Sequence, residues 1–151
     1  MDEPPSWLLT QAAMYAHRIV ADVFAGAGAR GHHYRLLASL AHEGPASQAS
    51  LGRRTGIHLS DMVAALNEMQ AAGFVARSPD PADRRRNVIT LTPAGRERLG
   101  ELSDSVRHIQ EEVFAPLDED ERRQFAAGLR KLHDHHRARV SPVAPVAERH
   151  P

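Results

Sequence analysis

Residues 46–92 read ASQASLGRRTGIHLSDMVAALNEMQAAGFVARSPDPADRRRNVITLT, and the order of elements within this stretch decides the fold. Ser47 is suited to cap a helix over 48–55, because its hydroxyl accepts from an orphan N–H of the first turn. Gly56 stops that helix. A second helix over 58–72 places Met62, Ala65, Leu66 and Met69 on one face, with Ile57 just before it. Gly73 then supplies the left-handed conformation that ends many helices. Residues 74–77 and 87–91 are short β-branched or apolar runs, and SPDPADRRR joins them as a hairpin tip. Leu51, Ile57, Met62 and Leu66 are the apolar anchors a helix-turn-helix needs. Gly52 is expected where the two helices approach closely, and Gly56 in the turn. The fold class is therefore mainly α with a small β-hairpin wing: a winged helix-turn-helix with helical dimerisation extensions.

Upstream, residues 1–6 hold two prolines and read as a loose arm, with Ser6 as the expected cap of a helix over 7–25. Leu8, Ala12, Tyr15, Ile19 and Val23 recur along it at 3–4 spacing, and Leu9, Ala16, Val20 and Phe24 widen the stripe. A helix apolar over so much of its surface needs cover from a core or from a second subunit. GAGARG (26–31) breaks it, and a helix over 32–42 carries Tyr34, Leu36, Leu37 and Leu40. Downstream, Thr92-Pro93 opens a long helix, with Thr as cap and Pro at the first position. Leu99, Leu102, Val106, Ile109 and Val113 form a seam suited to another helix. Pro116 ends it. Asp118 and Glu121 make an acidic variant of the capping box before a last helix over 119–137, which carries Phe125, Leu129 and Leu132. The tail VSPVAPVAERHP is Pro-rich and expected to be disordered. The expected division is an arm and dimerisation helix over 1–30, the winged domain over 31–98, dimerisation helices over 99–139, and a tail over 140–151.

Formal net charge is zero across 151 residues, but the charge is unevenly spread. Residues 30–98 carry ten arginines and six carboxylates, a surplus of four; the remainder carries nine cations and thirteen carboxylates. The absence of cysteine excludes disulfides, thiol catalysis, thiol redox sensing and Cys-based zinc sites. No apolar run reaches the roughly 20 residues needed to span a bilayer, and MDEPPSW is unlike a signal peptide, so a cytoplasmic location is expected. No Ser/His/Asp set, phosphate-cradling glycine loop or paired-carboxylate cleft is visible, which argues against an enzyme, and no cofactor is implied.

The chemistry of the central stretch suits double-stranded DNA. The second helix of such a unit enters the major groove with its N-terminal residues toward base edges. Here these are His58, Leu59, Ser60 and Asp61, with Ala64 and Asn67 further on. Asn pairs with adenine, Asp accepts from cytosine N4, and Ser is permissive. Arg84, Arg85 and Arg86 at the hairpin tip suit phosphates or a narrow minor groove. Asp80 and Asp83 are expected to order that loop. Arg53, Arg54 and Arg77 are further phosphate candidates. A winged helix used for protein contacts is the rival reading, and it expects no salt-dependent DNA binding.

Residues 51–95, and above all DPADRRRNVITLTPAGR around Asp83-Arg84-Arg85, resemble the MarR family of winged-helix regulators. The flanking helices fall in that family's order. The resemblance implies a homodimer built from the first and last helices and binding to a palindromic operator. It also implies repression relieved by a small-molecule effector, and it places Ser60, Asp61, Arg84 and Arg85 at DNA-contacting positions. One departure stands out. Many relatives carry basic residues in the recognition helix, whereas residues 58–72 contain no Lys or Arg and hold Asp61 and Glu68. Phosphate contacts must then come mainly from Arg53, Arg54, Arg77 and the wing.

Relatives place their effector between the dimer base and the DNA-binding unit. His17, His33, Tyr34 and His108 are the candidate ligand-binding residues, among histidines that also include His32 and His42. No dedicated metal site is expected. A zinc-responsive variant would draw on His108 and Glu112, four apart on one helix, with His33 completing the set. Trp7 resembles a residue of a urate-responsive branch, but Arg35 stands where that branch is acidic. The resemblance then points to a hydrophobic anion such as a phenolic acid or an antibiotic-like metabolite.

Overall fold

Two consecutive prolines set the start of the first helix. In the computed structural model, which describes residues 2–139, α1 runs Pro5–Gly26, with Pro4 in the cap position and Pro5 in the first turn. Proline is tolerated there because the first-turn N–H groups lack intrahelical partners in any case. Ser6, expected as the cap, instead lies inside the helix, where its carbonyl accepts from Thr10 Oγ1 at 2.9 Å. The order continues with α2 (Gly31–Glu43), β1 (Ala46–Ser47), α3 (Gln48–Thr55) and α4 (Leu59–Ala71). It ends with β2 (Val75–Pro79), β3 (Asn87–Leu91), α5 (Pro93–Val113) and α6 (Glu119–Arg139). The expected disorder of 140–151 lies outside the described residues.

Local chemistry explains most boundaries. Ser47 Oγ accepts from the Ser50 N–H at 3.2 Å, and Gly56 closes α3 at φ +68°. Gly73 follows α4 at φ +80°. β2 and β3 pair antiparallel with Arg77 opposite Ile89. β1 pairs with the other edge of β3, giving the order β1-β3-β2. Sequence reading had found the hairpin but not this third strand. It is two residues long, and its Ser47 doubles as the helix cap.

The core beneath the wing is built from Leu36, Leu37, Leu51, Met62, Leu66, Met69, Ile89 and Leu102, all fully buried. Each such side chain contributes about 2 kcal/mol relative to exposure. Leu102 and Ile109 are the buried positions of the α5 seam, which packs on α1 and α2. Thr92 pins the start of α5: its Oγ1 accepts from Gly95 N–H at 3.0 Å and donates to the Gly73 carbonyl at 2.6 Å. Gly95 lies against the Phe74 backbone, where a Cβ would collide with the carbonyl oxygen. Gly52 proved different from expectation, since a Cβ there would meet nothing within 4 Å. The close helix approach assigned to it therefore does not occur.

The chain forms two units, one through Val113 and one from Phe114. In the second, Asp118 and Glu121 cap α6 reciprocally: Asp118 N–H donates to Glu121 Oε2 and Glu121 N–H to Asp118 Oδ1, both at 2.9 Å. Phe114 and Phe125 meet edge to face at 6.0 Å. None of the residues of α6 is buried, and in α1 only Phe24 is. No described helix is long and apolar enough to cross a membrane.

Candidate nucleic-acid interface

Helical geometry sorts α4 into three faces, since successive residues turn by about 100°. Met62, Ala65, Leu66 and Met69 face the core. Leu59, Ser60, Val63, Ala64 and Asn67 share an exposed arc. Asp61 and Glu68, seven apart, fall together on a third face, toward α2. There Glu68 accepts from His33 Nε2 at 2.8 Å and pairs with Arg30 at 3.5 Å. Asp61 Oδ2 lies 3.9 Å from His32 Nε2. The two carboxylates that made this helix look unsuited to DNA are thus turned aside and matched by cationic or imidazole groups of α2 and the turn before it. Asp61, expected among the base-reading residues, instead faces this side.

Arg53, Val63, Asn67, Arg77 and Arg86 line one groove between the helix-turn-helix and the wing. Arg77 donates to Asn67 Oδ1 at 3.0 Å. That bond ties the wing to α4 and takes one of the two lone pairs of the Asn67 oxygen, so it orients the amide beside the groove. His58 and Ser60 stand exposed at the start of α4. Arg54 departs from expectation. It pairs with Glu43 at 3.3 Å and donates to the Gly44 carbonyl at 3.2 Å, so its work is to hold α3 to the end of α2.

The wing tip is a built loop. Asp80 Oδ1 accepts from Ala82 N–H at 2.9 Å, and Asp83 Oδ1 from Arg85 N–H at 3.1 Å. Asp80 N–H donates to the Arg86 carbonyl at 2.8 Å, and Arg86 Nε sits 3.8 Å from Asp83 Oδ2. Such side-chain-to-backbone bonds are how aspartates order turns. Among the described residues neither Arg84 nor Arg85 forms an ion pair, and both are exposed. Two guanidiniums carried on an ordered backbone are free to make the strong, bidentate hydrogen bonds that arginine forms with phosphate.

A second concavity, of about 590 Å³, opens between α1, α2 and α5. Its apolar wall includes Phe24, Val106, Ile109 and Tyr34, with Phe24 and Tyr34 stacked at 6.2 Å. His17, Arg30, His32, Arg35 and Asp61 supply the polar groups. Of the four ligand residues expected from sequence, His17 and Tyr34 line it. His33 does not; it lines a separate cavity of about 200 Å³ with Glu68. His108 is exposed and pairs with Glu112 at 3.6 Å. His33, His108 and Glu112 are not brought together. No group of three or more His, Cys, Asp or Glu placed to hold a metal occurs among the described residues. Arg35 was missed as a cleft residue. Its position in α2, on the same face as His32 three residues earlier, was the available signal.

Arg35 donates to His32 Nδ1 at 2.8 Å. A guanidinium cannot accept, so Nδ1 is unprotonated and the ring proton resides on Nε2, toward Asp61. Burial, then the Arg35 charge, holds the His32 pKa below its usual 6.5, against the opposing pull of Asp61; His33 and Arg30 lower it further. The unfolded chain therefore binds this proton at higher pH than the folded one. The contribution of His32 to stability therefore rises with pH across the interval ending near 6.5, and falls as pH drops through it. Between pH 7.5 and 5.5, His32→Gln is expected to lose less stability than the parent, as read from urea midpoints. Equal losses would show that His32 does not carry this dependence.

A three-helix core with a hairpin whose arginines flank the second helix defines the winged helix-turn-helix class. The family model for MarR matches residues 28–86, and the chain belongs to the MarR family. It is 33% identical over 98 residues to the HTH-type transcriptional repressor NicR of Pseudomonas putida, an alignment covering 65% of this chain and 62% of NicR. It is 27% identical over 100 residues to a putative transcriptional regulatory protein for the hcr operon of Thauera aromatica, covering 66% and 60%. The chain thus spans about 60% of the length of these curated relatives. Among solved structures it is similar to Bordetella bronchiseptica BpsR, whose DNA binding is regulated by 6-hydroxynicotinic acid. The TM-score is 0.79 and identity 27%, over 87% of this chain and 94% of that one. A probable transcriptional regulator from Pseudomonas aeruginosa matches at TM-score 0.76 and 30% identity, over 87% and 98%. Escherichia coli MarR, at 19% identity and TM-score 0.74, shares the fold.

Proposed function

We propose that the chain is a homodimeric transcriptional regulator, acting as a repressor, that binds a palindromic operator and leaves it when a small aromatic acid occupies the α1–α2–α5 cleft. The observation that carries this reading is the arginine-lined groove between α4 and the wing, with Arg84 and Arg85 unpaired at its tip. The repressor sense follows the name of NicR, and the effector class follows BpsR. The cleft suits such a ligand. Its volume is in the usual range for small-molecule sites, Phe24 and Tyr34 offer ring faces, and Arg30 and Arg35 offer guanidiniums for a carboxylate.

Dimerisation is supported by what α1 leaves uncovered. Trp7, Leu8, Met14 and Tyr15 share one arc of its first half, and each is close to half exposed or more. In α6, Phe125 and Leu132 are similarly exposed. A patch of this kind marks an interface. A ligand in the cleft would touch both levers of the helix-turn-helix: Arg35 donates to the Thr55 carbonyl at the end of α3, and His32 faces Asp61 of α4. Shifting them changes the separation of the two recognition helices, which must match about one turn of DNA, near 34 Å.

The test is fluorescence anisotropy with a labelled duplex selected from a random-core pool. Salt-sensitive binding by a dimer, reversed by added 6-hydroxynicotinic acid in the parent and not in Arg35→Ala, is the expected result. A monomer, or a protein that retains no duplex at low salt, would refute the reading.

A further inference from the structure

We infer that Leu59 and Val63 read thymine C5-methyl groups in the major groove, an inference that rests on the DNA-binding reading above. Leu59 is 69% exposed, more than any other large apolar side chain among the described residues, and it stands in the first turn of α4. Val63 follows one turn later on the same arc and is 39% exposed. Neither packs in the core. They lie on the side of α4 opposite the α2-facing carboxylates, and Val63 shares its groove with Arg53, Arg77 and Arg86.

That flanking charge selects the occupant. An apolar protein partner would have to desolvate three guanidiniums beside two aliphatic side chains, whereas a duplex matches them with phosphates. Base edges in the major groove present one apolar group, the thymine methyl. The polar alternatives on this arc are few. Ser60 is permissive, Asn67 has its side chain tied to Arg77 of the wing, and residues 58–72 carry no Lys or Arg to read guanine. Specificity in this helix therefore rests largely on apolar contact. Residues four apart on a helix are offset by about 6 Å, and base pairs stack about 3.4 Å apart, so the two methyls belong within about two base-pair steps in each half-site.

The full chain should be used to select duplexes from a random-core pool, and the selected duplexes remade with deoxyuridine for thymine, position by position. Deleting a methyl that is read should lower affinity about fourfold. Leu59→Ala should bind the thymine duplex more weakly by a similar factor and become indifferent to thymine or uracil at one position. Val63→Ala should do the same at its neighbour. Because both side chains are exposed, the variants should keep the parent's circular dichroism and its retention of unrelated duplex at low salt. If the parent binds selected duplexes but does not distinguish uracil from thymine, the methyl reading is overturned while DNA binding stands. Persistent thymine preference in Leu59→Ala and Val63→Ala would overturn it equally. A parent that captures a second copy of itself through this face, and retains no duplex, would overturn both readings.

Discussion

Replacing Arg84 and Arg85 together by alanine is expected to weaken operator binding about 1000-fold at near-physiological salt while leaving the fold intact. The tip is ordered by Asp80 and Asp83 through backbone N–H groups, and the Arg84 and Arg85 side chains take no part in those bonds. Both side chains are exposed, so their removal opens no cavity. What is lost is charge. Each phosphate contact to B-DNA adds about 0.9 to the slope of log affinity against log salt. A dimer loses four guanidiniums in this variant, so the slope should fall by about 3.6. Hydrogen bonds to charged groups contribute about 1.5 kcal/mol or more each, which makes 1000-fold a conservative expectation for four. Unchanged affinity would mean that the wing serves something other than nucleic acid. Arg54→Ala should behave differently. Its partners are Glu43 and the Gly44 carbonyl, so stability should suffer more than the salt slope.

Gly95→Ala is expected to be the most damaging single methyl addition in the first unit, at about 3 kcal/mol, a lowering of the melting temperature by about 10 °C at fixed protein concentration. The new Cβ would strike the Phe74 carbonyl oxygen, with Leu91 Cδ1 at 2.8 Å and the Phe74 carbonyl carbon at 2.9 Å behind it. Backbone cannot swing aside as a long side chain can. Gly95 also donates to Thr92 Oγ1, and Thr92 in turn donates to the Gly73 carbonyl, so relieving the clash loosens the join between α4, the wing and α5. Gly52→Ala is the control. It sits in α3 with open space around its would-be Cβ, and relief of glycine's helix penalty should stabilise the protein by up to about 1 kcal/mol. Thermal melts of the two variants separate a steric cause from a general intolerance of alanine.

Much of this architecture was legible because its punctuation is local. Ser47, Gly56, Gly73 and Thr92-Pro93 announce helix ends through their own hydrogen bonds and backbone freedom, and each stands where its chemistry places it. The Asp118–Glu121 box was readable for the same reason. β1 was not, because two residues carry no period and their partner lies some forty positions away on β3. Gly52 misled because glycine inside a helix has more than one meaning, and only the neighbouring atoms decide which applies.

Of the proposed interface, the exposed arginines were legible in the sequence and the setting of the carboxylates was not. A run of three arginines on a hairpin tip needs no tertiary information to be noticed. That Asp61 and Glu68 share a face could have been read from their spacing of seven. That α2 would present His32 and His33 to that face, with Arg30 from the turn before it, required the packing of α2 on α4. Arg35 entered the cleft for a similar reason: periodicity puts it on a helix face but does not say what the face looks upon.

The most direct test of the central claim, that one face of the molecule grips a duplex by a cation-free helix flanked by arginine-tipped wings, is a hydroxyl-radical footprint on a selected operator. The parent should protect two half-sites about one helical turn apart. Each should be flanked by a minor-groove protection that disappears in Arg84→Ala/Arg85→Ala while the central protections remain at higher protein concentration. Flanking protections that persist without these arginines, or a footprint lacking two-fold symmetry, would contradict it.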